Sequence, residues 1–342
     1  MNEDSLYFIA DIGANHDGSL DKAKKLIKLA KDSGADAAKF QNFQASKIVS
    51  AEGFKGLKIS HQSKWKKSVF EVYKDASIPV NWTETLKEEC DKVNIDYFTS
   101  PYDFDSVDLV DPYVDLYKIG SGDISWIEII EYILSKGKPT LIATGASSLD
   151  DVKRVMHLTK KYQNDIVLMQ CNTNYSGSDE NFNYCNLNVL NQYKNLFPNT
   201  VLGLSDHTSG HSTTLGAISL GARVIEKHFT DDNNQIGPDH GFAMNPVTWK
   251  DMVDRSYELL SALGDGKKRI EDNEKDSFMV QRRSIRFSED LKEGHEIKKE
   301  NLVCLRPITK DGLNPYEIND YIGKKLTINV SKGDQLTKKI IK

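Results

Sequence analysis

The chain has 342 residues, 39% of them hydrophobic and 28% charged, with a formal net charge of −5. That length exceeds what one core usually serves, so a large domain plus a small one is expected, and the dispersed Lys and Arg exclude a nucleic-acid footprint. No run nears the roughly 20 apolar residues that span a bilayer, the start MNEDSLYFIADIG lacks a cationic leader, and Cys90, Cys171, Cys185 and Cys304 have no CxxC spacing, so a cytoplasmic protein without disulfides is expected.

In chain order, LYFIAD (6–11) reads as a strand, followed by the amphipathic helix DKAKKLIKLAKDSG with Gly34 at its C-terminal cap. ADAAKFQ (35–41) is a second strand. A long polar segment follows at about 42–82, then the helix TETLKEECDKVN (83–94). Further strands are read at IDYFTS (95–100), VDLYKIG (114–120), PTLIATG (139–145), DIVLMQCN (165–172), TVLGLSD (200–206) and ARVIEKHF (222–229). Helical stretches lie between them, including SLDDVKRVMHLTKKY (148–162), opened by a Ser148–Asp151 capping pattern. Eight alternations over about 250 residues predict an α/β fold, a (β/α)8 TIM barrel. A doubly wound sheet is the alternative, but no glycine-rich phosphate loop follows the first strand. The barrel is assigned residues 1–265, a charged linker 266–282, and a small domain 283–342 whose short apolar runs are broken by Gly and Pro.

Barrel chemistry sits at the C-terminal strand ends, and unusual residues collect there. Asp11, Asn15 and His16 end the first strand, Lys39 and Gln41 the second, and Ser100 the third. Lys118, Ser121 and Asp123 end the fourth, Asn172 to Tyr175 the sixth, Ser205 to His207 the seventh, and Glu226 and His228 the eighth. Alternation places Lys39 with Gln41, and Glu226 with His228, on one face. If that face is the interior, the mouth suits an anionic substrate and a divalent metal. Plainer readings stand beside these: a structural histidine, a lysine snorkelling at the rim, Asn15–Gly18 as a simple turn, Cys171 as a small core residue, and 266–276 as a solvated face.

Together the motifs resemble the sialic acid (nonulosonic acid) synthase family. IADIGANHDGSLDKAKKLIKLAKDSGADAAKFQ resembles its opening signature, and YKIGSGD, GLSDHT, ARVIEKHFTDD and GPDH follow in the family's order. RRSIRFSEDLKEGHEIKKENLVCLRP resembles the start of its C-terminal antifreeze-like (SAF) domain. The resemblance implies a barrel with a SAF domain, in a domain-swapped homodimer. It implies condensation of phosphoenolpyruvate with an N-acetylated amino-sugar aldehyde, N-acetylmannosamine or a diacetamido-trideoxyhexose. It also implies a divalent metal, Mn2+ foremost with Mg2+ or Co2+ as alternatives, on His207 and His228. Lys39, Lys118, Ser121 and Ser205 are the implied phosphoenolpyruvate cradle, joined by Ser100 and Thr173 as substrate contacts. Asp123, Tyr175 and Asp239 are implied acceptor contacts, Arg306 reaches the acceptor site of the partner, and Asp11 handles protons.

Three departures stand out. Asp11 replaces the family's more frequent Glu, Ala143 replaces the Ser of STG with Ser147 or Ser148 as substitutes, and ITKDGLNP follows LRP in place of a shorter turn. Two other readings compete: a Schiff-base aldolase using Lys118, and a non-catalytic SAF-type binding protein.

Overall fold

The strand segments are nearly continuous runs of buried residues, as parallel strands covered on both faces require. In the computed structural model, which describes residues 5–57 and 65–342, they form eight parallel strands that close into a barrel. These are β1 (Tyr7–Asp11), β2 (Ala37–Asn42), β3 (Asp96–Pro101), β4 (Tyr117–Ile119), β5 (Thr140–Ala143), β6 (Ile166–Cys171), β7 (Val201–Asp206) and β8 (Val224–His228). The register aligns Asp11 with both Lys39 and His228, and Ser205 with both Cys171 and Glu226. Strand order therefore brings together groups up to 217 positions apart in sequence.

One principal helix follows each strand: α1 (Leu20–Asp32), α2 (Trp82–Val93), α3 (Phe104–Val110), α4 (Ile127–Ser135), α5 (Leu149–Thr159), α6 (Val189–Leu196), α7 (Ser212–Ser219) and α8 (Pro246–Leu263). Local chemistry sets their ends. Ser19 accepts from the Lys22 amide at the start of α1, and the Gly34 and Ala35 amides return to Lys31 and Ala30 at its close. The expected Ser148–Asp151 box opens α5, each side chain accepting from the other's backbone amide.

The segment 42–82 departs from its reading as an undivided polar stretch. Its described part holds short helices at Ala45–Ile48, Ala51–Phe54 and Val69–Ala76, the last opened by a reciprocal Ser68–Glu71 capping box. Asn15–Gly18 does form a turn, with Asp17 in the left-handed region, yet Asn15 and His16 are buried within it.

The chain divides after Gly264. In the unit Asp265–Lys342, helix Lys275–Gln281 precedes a two-stranded antiparallel ribbon of β9 (Ser284–Phe287) and β10 (Leu302–Leu305). Ile285, Phe287, Ile297, Leu326 and Leu336 are fully buried and form its own core. The ribbon is extended by isolated bridges rather than full strands. Short pairings of this kind leave little edge for further strand addition.

Candidate active site

At the C-terminal end of the barrel, inward-facing strand residues line a cavity of about 390 Å³. Its floor is ionic. Lys39 and Lys118 are only 2% and 3% exposed, so neither can snorkel to water, and each is bonded to a carboxylate. Lys39 donates to Asp11 at 2.6 Å and Lys118 to Glu226 at 2.8 Å, while Lys39 and Glu226 lie 3.6 Å apart. Gln41 also donates to Asp11 (3.1 Å) and Ser205 to Glu226 (3.1 Å). Burial pushes the Asp11 carboxyl up, but Lys39, then His228 and Lys118, outweigh it and hold the group at about 2. Burial acts the same way on Glu226, where Lys118 and Lys39 prevail and keep it below the usual carboxylate range. Two cations and two anions thus compensate one another.

Some capacity on this floor is unused. The second Glu226 carboxylate oxygen and the Ser100 hydroxyl are buried without a hydrogen-bond partner. Orphaned buried polar atoms are rare in folded proteins and mark where a ligand or water belongs.

The imidazoles stand above, on neighbouring strands. Asp206 points the other way, into a buried pair with Lys227 and bonds from Thr208 and Thr213, so alternation turns Ser205 and His207 inward. His207 Nδ1 donates to the Asn172 carbonyl at 2.8 Å, which leaves its Nε2 lone pair available. His228 Nδ1 is buried without a hydrogen bond, 3.6 Å from Asp239. The ring centroids are 5.4 Å apart, near enough for both rings to reach one divalent ion with bonds of about 2.1 Å. No group of three His, Cys, Asp or Glu side chains suited to a metal occurs among the described residues. His207 and His228 are therefore the two side chains that could hold a metal here, and the rest of its coordination would have to come from outside the protein.

Close backbone approach shapes the rim. Gly13 has φ +49°, and a Cβ there would lie 2.7 Å from Asp239 Oδ2 and 3.0 Å from His228 Nδ1. Asp239 accepts from the Ala14 amide at 3.0 Å, which ties the loop after β8 to the loop after β1. A Cβ on Gly145 would meet Thr173 Cγ2 at 2.4 Å and Ser121 Oγ at 2.9 Å. Asp123, on a 3₁₀ turn after β4, is raised to about 6 by burial alone, with no cation to counter it.

Most of the residues expected from sequence meet in this cavity: Asp11, Lys39, Ser100, Lys118, Ser121, Asp123, Tyr175, Ser205, His207, His228 and Asp239. Thr173 does not line it; it packs at Gly145 instead. Ser147 and Ser148 do not substitute for the hydroxyl missing at Ala143, because one bonds the Gly145 carbonyl and the other caps α5. Arg306 is exposed in the C-terminal unit. Cys171, read as core, lines the cavity; burial raises its thiol, but contacts with His207 and Ser121 bring it below the ordinary value. Glu226 was placed on the right face by alternation, but its pairing with Lys118, 108 positions away, has no sequence signal.

A family profile described as the NeuB family matches residues 26–268, and a SAF domain profile matches 282–341. The chain belongs to the NeuB family. Among its relatives, the N,N'-diacetyllegionaminic acid synthase of Legionella pneumophila is 34% identical, over 96% of this chain and 93% of that one. The human N-acetylneuraminate-9-phosphate synthase is 30% identical over 98% and 92%. The solved N-acetylneuraminic acid synthetase of Leptospira borgpetersenii, in complex with citrate, superposes with a TM-score of 0.71 at 25% identity, covering 81% of this chain and 91% of that one. This NeuB-family chain is accordingly an enzyme whose homologues are nonulosonic acid synthases, built on a TIM barrel with a C-terminal SAF domain. No helix among its described residues is long and apolar enough to cross a membrane.

Proposed function

We propose that the chain condenses phosphoenolpyruvate with an N-acetylated amino-sugar aldehyde, giving a nonulosonic acid and inorganic phosphate. The observation that carries this reading is the buried floor. Two lysines there sit beside an unpartnered Ser100 hydroxyl, an unpartnered Glu226 oxygen and, just above, an unpartnered imidazole nitrogen. Phosphate and carboxylate oxygens of phosphoenolpyruvate would accept from Lys39, Lys118, Ser100, Ser121 and Ser205, groups that need no reorganisation because packing already fixes them.

In this reaction the enol π pair of phosphoenolpyruvate C3 forms the new C–C bond to the aldehyde carbon. Water adds at C2, and the C2–O bond to phosphate breaks with its electrons leaving on phosphate. The oxygen of the water ends in the new keto group, one of its protons on the new hydroxyl and the other on phosphate. His207 and His228 would hold a divalent cation, Mn2+ in our reading, which supplies Lewis-acid polarisation of the aldehyde oxygen. Asp11, anionic throughout the neutral range, orients Lys39 and Gln41; a general base working near neutrality needs a far higher pKa. Asp123, Tyr175 and Asp239 would meet the sugar.

A Schiff-base aldolase on Lys118 is less well supported, because forming the imine would take the lysine away from the buried Glu226 carboxylate that it bonds at 2.8 Å. The test combines manganese, phosphoenolpyruvate, a panel of N-acetylated hexoses and oxygen-18 water. Phosphate release should disappear with EDTA, return with manganese, and place label in the sugar. Label in the phosphate would mean P–O cleavage and a different mechanism. Borohydride trapping of a pyruvate adduct would favour the aldolase.

We also propose a homodimer in which Arg306 of one protomer serves the acceptor site of the other, its planar guanidinium suiting a sugar carbonyl or hydroxyl. Mixing Arg306→Ala with His207→Ala should then restore part of the activity. Mixed dimers that form yet stay inactive would end that idea.

A further inference from the structure

We propose that Asp206 and Lys227, whose side chains point away from the cavity, are positioning residues that set the spacing of His207 and His228 and with it the affinity for a divalent cation. This rests on the metal reading proposed above and concerns two residues that line no part of the cavity.

The register between β7 and β8 stops one step short of the histidines. Its last aligned pair is Asp206 with Lys227. His228 is held from its other side, where the Phe229 amide donates to the Asp11 carbonyl and the His228 carbonyl accepts from the Met244 amide, both at 2.8 Å. His207 lies just past the end of β7, beyond the aligned register.

Lys227 supplies the link that the ladder leaves out. Its ammonium donates to the Asp206 carboxylate and, at 2.7 Å, to the Thr208 carbonyl, so it grips the residues on either side of His207. Asp206 also accepts from the Thr208 amide (3.2 Å), the Thr208 hydroxyl (2.8 Å) and the Thr213 hydroxyl (2.6 Å). The turn 206–208 is thereby closed on itself and tied to the residue immediately before His228. The bond from His207 Nδ1 to the Asn172 carbonyl then orients the ring, while Lys227 fixes the backbone that carries it.

Burial argues that the pair serves geometry more than stability. Lys227 is 1% exposed and Asp206 6%, with Thr208 and Thr213 buried beside them. Desolvating two charges costs about what their attraction returns, and an apolar pair of similar volume is often as stable or more so. An apolar pair cannot hold direction, however. An ammonium shared between a carboxylate and a carbonyl fixes two chain segments at hydrogen-bond length. Metal–nitrogen bonds of about 2.1 Å tolerate errors of only about 0.2 Å, so that precision bears directly on two rings that must reach one ion.

The test titrates Mn2+ alone into the metal-stripped full chain and follows free Mn2+ by its electron paramagnetic resonance signal. Native protein, His207→Ala and the double variant Asp206→Leu/Lys227→Met are compared, and each is also unfolded in urea. The double variant should unfold at or above the native urea midpoint yet bind Mn2+ about ten- to a hundredfold more weakly. A merely structural pair would show no such split. A folded double variant whose Kd for Mn2+ matches the native value overturns the inference. Should that variant fail to fold, Thr213→Val decides in its place, because it keeps the ion pair and removes one bond to Asp206. Its Kd for Mn2+ should rise several-fold, and an unchanged Kd overturns the inference. If His207→Ala binds Mn2+ as tightly as the native chain, the metal reading itself is overturned.

Discussion

The carboxylates of the floor and Asp123 at the rim share one cavity and behave oppositely. Asp11 and Glu226 are buried, yet both stay below the usual carboxylate range because Lys39 and Lys118 lie within hydrogen-bond distance. Asp123 is half-buried and faces no cation, and desolvation alone lifts it to about 6. The difference is one of support. Floor residues sit on strands that face one another across the barrel interior, whereas the rim is carried by turns and short helices that supply surface without counter-charge. Charge on the floor is settled before any ligand arrives. Charge on the rim waits for one.

The largest effect is expected from converting a floor carboxylate into a rim-like one. Lys118→Met leaves Glu226 buried with only the more distant Lys39 as counter-ion, which should lower stability by roughly 3–5 kcal/mol. Phosphate release should fall on the order of a thousandfold, because a preorganised cation at the anion subsite is lost. Adding Glu226→Gln removes the stranded charge, so the double variant should regain most of the stability, to within about 1 kcal/mol, while activity stays low. Urea unfolding of the three proteins measures this directly. If the single variant is no less stable than the double, the floor is not the compensated cluster described here.

The same contrast governs what could be read from sequence. The eight strands were legible because buried parallel strands make short apolar runs, and alternation put Lys39, Gln41, Glu226 and His228 on the inner face. Which lysine meets which carboxylate was not legible. Lys118 and Glu226 are partners across the barrel interior, and no local pattern encodes that pairing. The cavity residues between β2 and α2, among them Phe43, Ile48, Val72 and Tyr73, were missed for a different reason. They lie in a segment with no sustained period, although Ser68 and Glu71 in capping-box spacing were a usable sign of helix Val69–Ala76. Thr173 was grouped with substrate contacts through its place after β6, but the turn there aims its methyl at Gly145.

The smaller effect is expected at the rim, where it carries a sign that the floor cannot mimic. The Asp123 carboxyl rises from an ordinary 3.8 to about 6 on folding, so the folded chain holds this proton more tightly than the unfolded one. The stabilisation associated with the protonated form is complete below about pH 4, diminishes as pH rises, and is lost once pH passes about 6. Asp123→Asn keeps the shape but cannot ionise. The two proteins should therefore match at pH 4, diverge between pH 4 and 6, and differ by about 2 kcal/mol in favour of Asn at pH 7, allowing for the partial exposure of the group. A floor carboxylate with its pKa held down would give the reverse slope at lower pH. If Asp123 contacts the sugar, the more stable variant should also show a KM for the acceptor raised several-fold and an unchanged KM for phosphoenolpyruvate. A stability difference that does not vary between pH 4 and 7 would mean that Asp123 is solvated, and the distinction between a settled floor and a waiting rim would fall with it.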